Sequence, residues 1–197
     1  MGRPPKFDVD QILDAAAGLV ADGGPPSANV ATIASVAGAP TGSIYHRFAS
    51  RDLLLARLWI RTVERAQVGF LEALDQGALE RAALDAALHI PRWSRRHLTD
   101  ARILIQYRKE DLAGRWPEEL RSELKDLNRS LELAIRDFTR CRYGRITAGA
   151  LERTAFALVD VPYAGVRRHL LAGRKPPASV DQLVTRTVRC VLDGDSA

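Results

Sequence analysis

Three features of the 197-residue sequence predict an all-α fold. Apolar residues recur at i, i+3, i+4 and i+7 along nearly the whole chain, no run alternates strictly between apolar and polar residues, and aromatic residues make up only 6%. A content of 46% hydrophobic and 27% charged residues suits a packed core and excludes general disorder and fibrous repeats. The longest stretch free of Asp, Glu, Lys and Arg runs from Gly23 to His46. It holds glycines, prolines and hydroxyl residues, so no membrane-spanning helix is expected. Asp8, Asp10, Asp14 and Asp22 argue against a secretory signal, and Cys141 and Cys190 are too few for a disulfide framework. A reducing, cytoplasmic setting is expected.

Taken in order, Asp8-Val9-Asp10-Gln11 has the form of a capping box. It opens a first helix with Ile12, Leu13, Ala16, Leu19 and Val20 on one face, stopped by Gly23-Gly24-Pro25-Pro26. Asn29 can cap a second, two-turn helix carrying Val30, Ile33, Ala34 and Ala37, and Gly38 ends it. A third short helix spans roughly Thr41 to Phe48, and Ser50 caps a long one from Arg51 toward Leu74. Longer helices follow at about 78–90, 99–112, 117–141, 147–171 and 178–192. Pro91 and Pro117 mark starts or breaks, and Pro162 a kink inside an apolar run.

The formal charge of +5 does not mark a nucleic-acid-binding end. Residues 1–51 balance to zero, with Arg3, Lys6, Arg47 and Arg51 against the four Asp. Distribution says more, because Arg3 and Lys6 flank the acids on one side and His46, Arg47 and Arg51 on the other.

Two short helices joined by Gly38-Ala39-Pro40 form a helix-turn-helix pattern. The small Ala34 permits a close crossing, while Ile44, Tyr45 and Phe48 give the second helix an apolar side. The stretch Ile33-Ala34-Ser35-Val36-Ala37-Gly38-Ala39-Pro40-Thr41-Gly42-Ser43-Ile44-Tyr45-His46-Arg47-Phe48, followed by Ser50-Arg51-Asp52-Leu53-Leu54, resembles the DNA-binding motif of the TetR family of bacterial transcriptional repressors. The resemblance reaches back through Ile12, Ala15-Ala16 and Gly23 and covers about residues 8–56. It implies a helix-turn-helix DNA-binding domain at 1–51 and a larger helical ligand-binding and dimerisation domain at 52–197. It also implies that Thr41, Gly42, Ser43, Tyr45 and His46 face the major groove or its flanking phosphates. Arg51 stands where the family usually has Lys, at the phosphate backbone. Pro40 stands where many members have Ser, which leaves Thr41 as the candidate cap.

Elementary chemistry gives these positions separate reasons. Gly42 allows close approach to DNA, and Thr41 and Ser43 offer short donors. Tyr45 is either a core ring or a phenol reaching a phosphate. His46 and Arg47 are phosphate contacts or solvated surface groups, and Asn29 sits at the edge of the same motif. The segment Gly2-Arg3-Pro4-Pro5-Lys6 is either a frayed terminus or an arm that inserts Arg3 into a minor groove.

In the rest of the chain, Val180, Leu183, Val184, Thr187, Val188 and Val191 form one apolar stripe, and a second runs from Leu151 to Leu170. Dimerisation and packing within one chain both satisfy such faces. Candidate ligand contacts are Trp59, Trp93, Arg102, Gln106, Tyr107, Phe156, Asp160 and Tyr163, with His89 and Trp116 beside them. The aromatics serve equally as core, and Asp160 is a lone charge in an apolar run. No phosphate loop, His-Glu-x-x-His, Cys-x-x-Cys or nucleophile elbow occurs, and the four His have no metal-ligand spacing. No enzyme activity, metal or cofactor is expected.

The expectation is a homodimeric repressor that binds a double-stranded, palindromic DNA operator and is released by a small-molecule effector. Activation, corepression or a helical adaptor remains as the alternative.

Overall fold

The computed structural model describes residues 8–106 and 118–193, and among them it contains helices and no strand. Helix α1 (Val9–Gly23) starts at Asp8, whose backbone N–H donates to Gln11 Oε1 at 3.3 Å. It stops at Gly24, held at φ 74°, before a 3-10 turn at Pro25–Ser27. Helix α2 (Val30–Ala37) and α3 (Thr41–Tyr45) are short, and α4 (Arg51–Leu74) runs for 24 residues. Then come α5 (Leu79–Arg96), α6 (Leu98–Gln106), α7 (Glu118–Tyr143), α8 (Ala148–Ala155), α9 (Val161–Leu171) and α10 (Ser179–Asp193).

Two prolines behave differently from expectation. Pro91 does not break a helix but lies inside α5. It forfeits the hydrogen bond to the Ala87 carbonyl, yet Ala86, Ala87, Pro91 and Trp93 are all buried, and this packing carries the helix through. At Pro162 the break takes the form of a π-helical turn, Phe156–Asp160, between α8 and α9. The Val161 N–H donates to the Phe156 carbonyl there, and the wider turn accommodates the N–H that Pro162 lacks. The third helix ends at Tyr45, earlier than predicted, and Pro40 caps it with no side-chain bond.

The apolar side chains form two main cores. One, at the N-terminal end, gathers α1, α2, α3 and the first turns of α4 through Ile12, Ala16, Val20, Ile33, Ile44 and Leu58. The other fills the body between α5, α9 and α10, with Phe70 of α4, Leu158 and Val184 inside it. The expected boundary at residue 51 thus falls at the start of a helix that serves both cores, about 36 Å long at 1.5 Å per residue. The bidentate pair Arg95–Asp181, at 2.8 and 2.7 Å, fastens α5 to α10.

Ile103 of α6 is fully buried in the N-terminal core, although its helix belongs to the body. Ile103→Ala is therefore expected to lower stability by about 2–5 kcal/mol, the usual range for a large-to-small change in a packed core. Denaturant unfolding checks this; a loss below about 1 kcal/mol would mean that α6 rests loosely on α1.

Candidate functional site

The helix-turn-helix is built by local rules. Asn29 accepts from the Thr32 N–H at 2.9 Å and fixes the start of α2. Gly38, at φ 63°, ends α2 in the left-handed conformation, and the Ala39 N–H returns to the Ala34 carbonyl at 3.0 Å. Ala34 and Ala39 are buried at the crossing. Beyond it, Ile44 and Phe48 point inward, so the opposite side of α3 carries Thr41, Gly42, Tyr45 and His46, all exposed. Tyr45 keeps 55% of its surface exposed and does not fill the core. Val36, on the neighbouring α2, is also exposed. Ser43 is partly buried, and its carbonyl accepts from Arg47 Nη1 at 3.0 Å, so that arginine lies along its own turn. Arg3 lies outside the described residues.

Arg51 differs from expectation. Its Nε donates to the Ala28 carbonyl at 2.8 Å and Nη2 donates to the Pro25 carbonyl, so the guanidinium clasps the turn between α1 and α2. Ser50 caps the same helix, accepting from the Leu53 N–H at 3.1 Å. The sequence placed Arg51 correctly at a helix start but could not register carbonyls 23 and 26 positions away.

A cavity of about 210 Å³ lies in the body between α4, α5, α6 and α9. Trp93 and Tyr163 line it as expected, and so does His89. Val63, Ala66, Gln67 and Phe70 supply a wall that sequence reasoning missed. Their i, i+3, i+4, i+7 spacing was legible, but a cavity wall and a filled core share that pattern.

Other expected contacts lie elsewhere. Phe156 and Asp160 face outward from the π turn, because its side chains at 157 and 158 take the inward positions. Trp59 packs between the N-terminal core and the α4–α7 contact. Arg102 donates to Asp22 of α1 at 2.8 Å, and Gln106 Nε2 donates to the Ala21 carbonyl at 3.0 Å, so both belong to the seam between α6 and α1. Tyr107 and Trp116 lie outside the described residues. Helix α6 thus has two working faces, with Ala101, Leu104 and Ile105 on the cavity and Arg102, Ile103 and Gln106 on α1. Arg61 of α4 adds a second tie, reaching Asp10 at 2.9 Å and Asp14 at 2.8 Å.

His89 Nε2 lies 2.9 Å from the Ala66 carbonyl. A carbonyl only accepts, so the neutral ring carries its proton on that nitrogen. Burial holds its pKa below the ordinary 6.5; the Ala66 bond and Glu72 oppose that shift, whereas Arg96 and His97 add to it.

A short helix with exposed polar side chains thus stands on a helical body that holds an apolar cavity. Residues 12–58 match the family described as bacterial regulatory proteins, tetR family. The whole fold is similar to that of the fatty acid degradation regulator FadR from Bacillus halodurans, with a TM-score of 0.73 and 19% identity over 100% of this chain and 99% of that one. It is similar also to FadR from Bacillus subtilis in complex with stearoyl-CoA (TM-score 0.66, 18% identity, 95% of this chain and 99% of that). The ketosteroid regulator KstR2 of Mycobacterium tuberculosis gives a TM-score of 0.69 at 20% identity, over 96% of this chain and 95% of that. A comparison with curated protein sequences finds no match. The chain carries a tetR-family helix-turn-helix domain on the fold of the tetR-type transcriptional regulators.

Arg51→Ala is expected to lower stability by about 1–2 kcal/mol through the two carbonyls it abandons, while the salt dependence of DNA binding stays unchanged. A fall of about one unit in the slope of log K against log salt would instead make Arg51 a phosphate contact. Because the folded state resists protonating His89, stability is fully present above pH 6.5 and declines as pH falls from 6.5 toward the lowered folded value. His89→Gln should flatten that part of a stability-against-pH curve; an unaltered curve would assign the slope to other groups.

Proposed function

We propose that the chain is a homodimeric transcriptional repressor that binds a palindromic operator in the cytoplasm and is released by a small-molecule inducer, without catalysing a reaction. The carrying observation is α6, which lines the cavity with one face and grips α1 with the other. A ligand that favours one position of α6 biases the position of α1 and, through the shared core, of α3. By linkage, DNA then weakens ligand binding by the same factor.

In this reading residues 1–51 form the DNA-binding unit and residues 52–197 the effector and dimerisation unit. Thr41, Gly42, Ser43, Tyr45 and His46 meet the groove and its phosphates, with Asn29, Arg47 and the Arg3 arm at the flanks. Dimerisation is supported by exposed apolar side chains on the faces of α9 and α10 and the turn before α9. Phe156, Tyr163, Leu171 and Leu183 keep 48%, 42%, 53% and 59% of their surface exposed. A two-fold pairing of these faces would cover them and present two copies of α3 to successive major grooves. The regulators similar in fold are described as handling fatty acid degradation, stearoyl-CoA or ketosteroids, which supports an organic effector in the cavity. Among the described residues no helix is long and apolar enough to cross a membrane.

The test is a titration of the full chain, and of Tyr45→Ala, against the DNA flanking its own gene at fixed salt with a scrambled duplex as competitor. Competitor-resistant binding of two protomers per site is expected, weakened on the order of tenfold by Tyr45→Ala with the dimer still folded, as for one lost contact of 1–3 kcal/mol. Equal binding of both duplexes, together with no preferred site in a genome-wide fragment selection, would end the regulator reading.

A further inference from the structure

We infer that the cavity between α4, α5, α6 and α9 takes an uncharged, compact apolar molecule of about nine heavy atoms, not a carboxylate or a long-chain acyl thioester. This deepens the proposed function and rests on the cavity being the effector site.

Size is the first argument. A cavity of about 150 Å³ with aliphatic and aromatic walls holds benzene. At the same packing, 210 Å³ admits about half as many atoms again. An eighteen-carbon chain needs roughly twice that space.

The walls are the second argument. Phe70, Ile90, Leu104 and Val166 dominate them, and among the described lining residues none carries a formal charge. Their polar side-chain groups are those of Gln67, His89, Trp93, Ser94 and Tyr163. Among them His89 is the one that could become a cation, and its burial disfavours that form. Its Nε2 is committed to the Ala66 carbonyl, and its ring lies against Gly69, where an added Cβ would stand 2.5 Å from Cε1. Burial disfavours the imidazolium and outweighs the Ala66 bond, which favours it. A carboxylate moved into this space would lose its water and find no opposite charge among the described lining residues.

Calorimetric titration of the full chain with cumene, benzoate and stearoyl-CoA tests this. Cumene and benzoate have the same number of heavy atoms and differ in charge. One cumene per chain is expected, bound on the order of 100-fold more tightly than benzoate, with no stoichiometric heat from stearoyl-CoA. Leu104→Trp fills the cavity from α6 and should abolish the cumene heat; should that variant melt early, Ile90→Trp fills it from α5. No cumene binding, benzoate or stearoyl-CoA binding as tightly as cumene, or cumene heat retained in a folded cavity-filled variant would each overturn the inference. Operator binding, measured in parallel, separates the two readings. Cumene bound with operator affinity unchanged leaves the ligand class standing and removes the effector role. Release by stearoyl-CoA without cumene binding does the reverse.

Discussion

Ile103 sits in a core made mostly of residues from the first 58 positions, while its neighbours Ala101, Leu104 and Ile105 look the other way into the cavity. Within its described part, Leu98–Gln106, α6 therefore carries two opposed faces. The consequence is mechanical. Any change in cavity volume that displaces α6 reaches α1 through a buried isoleucine, the Arg102–Asp22 pair and the Gln106–Ala21 bond. The contacts differ in strength. Asp22 is largely exposed, so its ion pair is screened and contributes modestly, whereas the Ile103 contact is fully buried and is the stronger tie.

The recognition helix depends on a second set of constraints, all close to it in space. Five residues of α3 cannot hold their own geometry, since isolated helices of this length are unstable in water. Ile44 and Phe48 anchor it below, the left-handed Gly38 sets the angle at which it leaves α2, and Arg51 ties the start of α4 to the turn before α2. The polar side chains on its outer side stay exposed because Ile44 and Phe48 take the inner one. The same economy explains Arg51, whose guanidinium serves better as a clasp for two carbonyls than as a surface charge.

Legibility in the sequence followed the range of the interactions involved. The capping of α1, α2 and α4 and the stop at Gly38 are set within four residues of each other, and the sequence displays them directly, whereas it left open whether Tyr45 turns inward with Ile44 or outward, as it does. The candidate ligand residues were chosen by the same local logic, and there it failed in instructive ways. Arg102 and Gln106 stood among the candidate ligand contacts, but their partners are Asp22 and Ala21, some 80 positions earlier. Phe156 looked like a pocket aromatic at α-helical spacing, but the π turn shifts the phase of the helix at that point and turns it outward.

The sequence by itself determined the all-helical class and the position of the helix-turn-helix, because helix periodicity, caps and a left-handed glycine are short-range effects. Only the tertiary structure decided which face of α6 meets the cavity, that Pro91 is carried within a helix, and that His89 is buried against Gly69 with its Nε2 on the Ala66 carbonyl. Those outcomes depend on which distant helix supplies the opposing surface. Packed core and empty chamber bury the same apolar side chains at the same spacing, so the sequence pattern is identical for both, and only the distances between helices tell them apart.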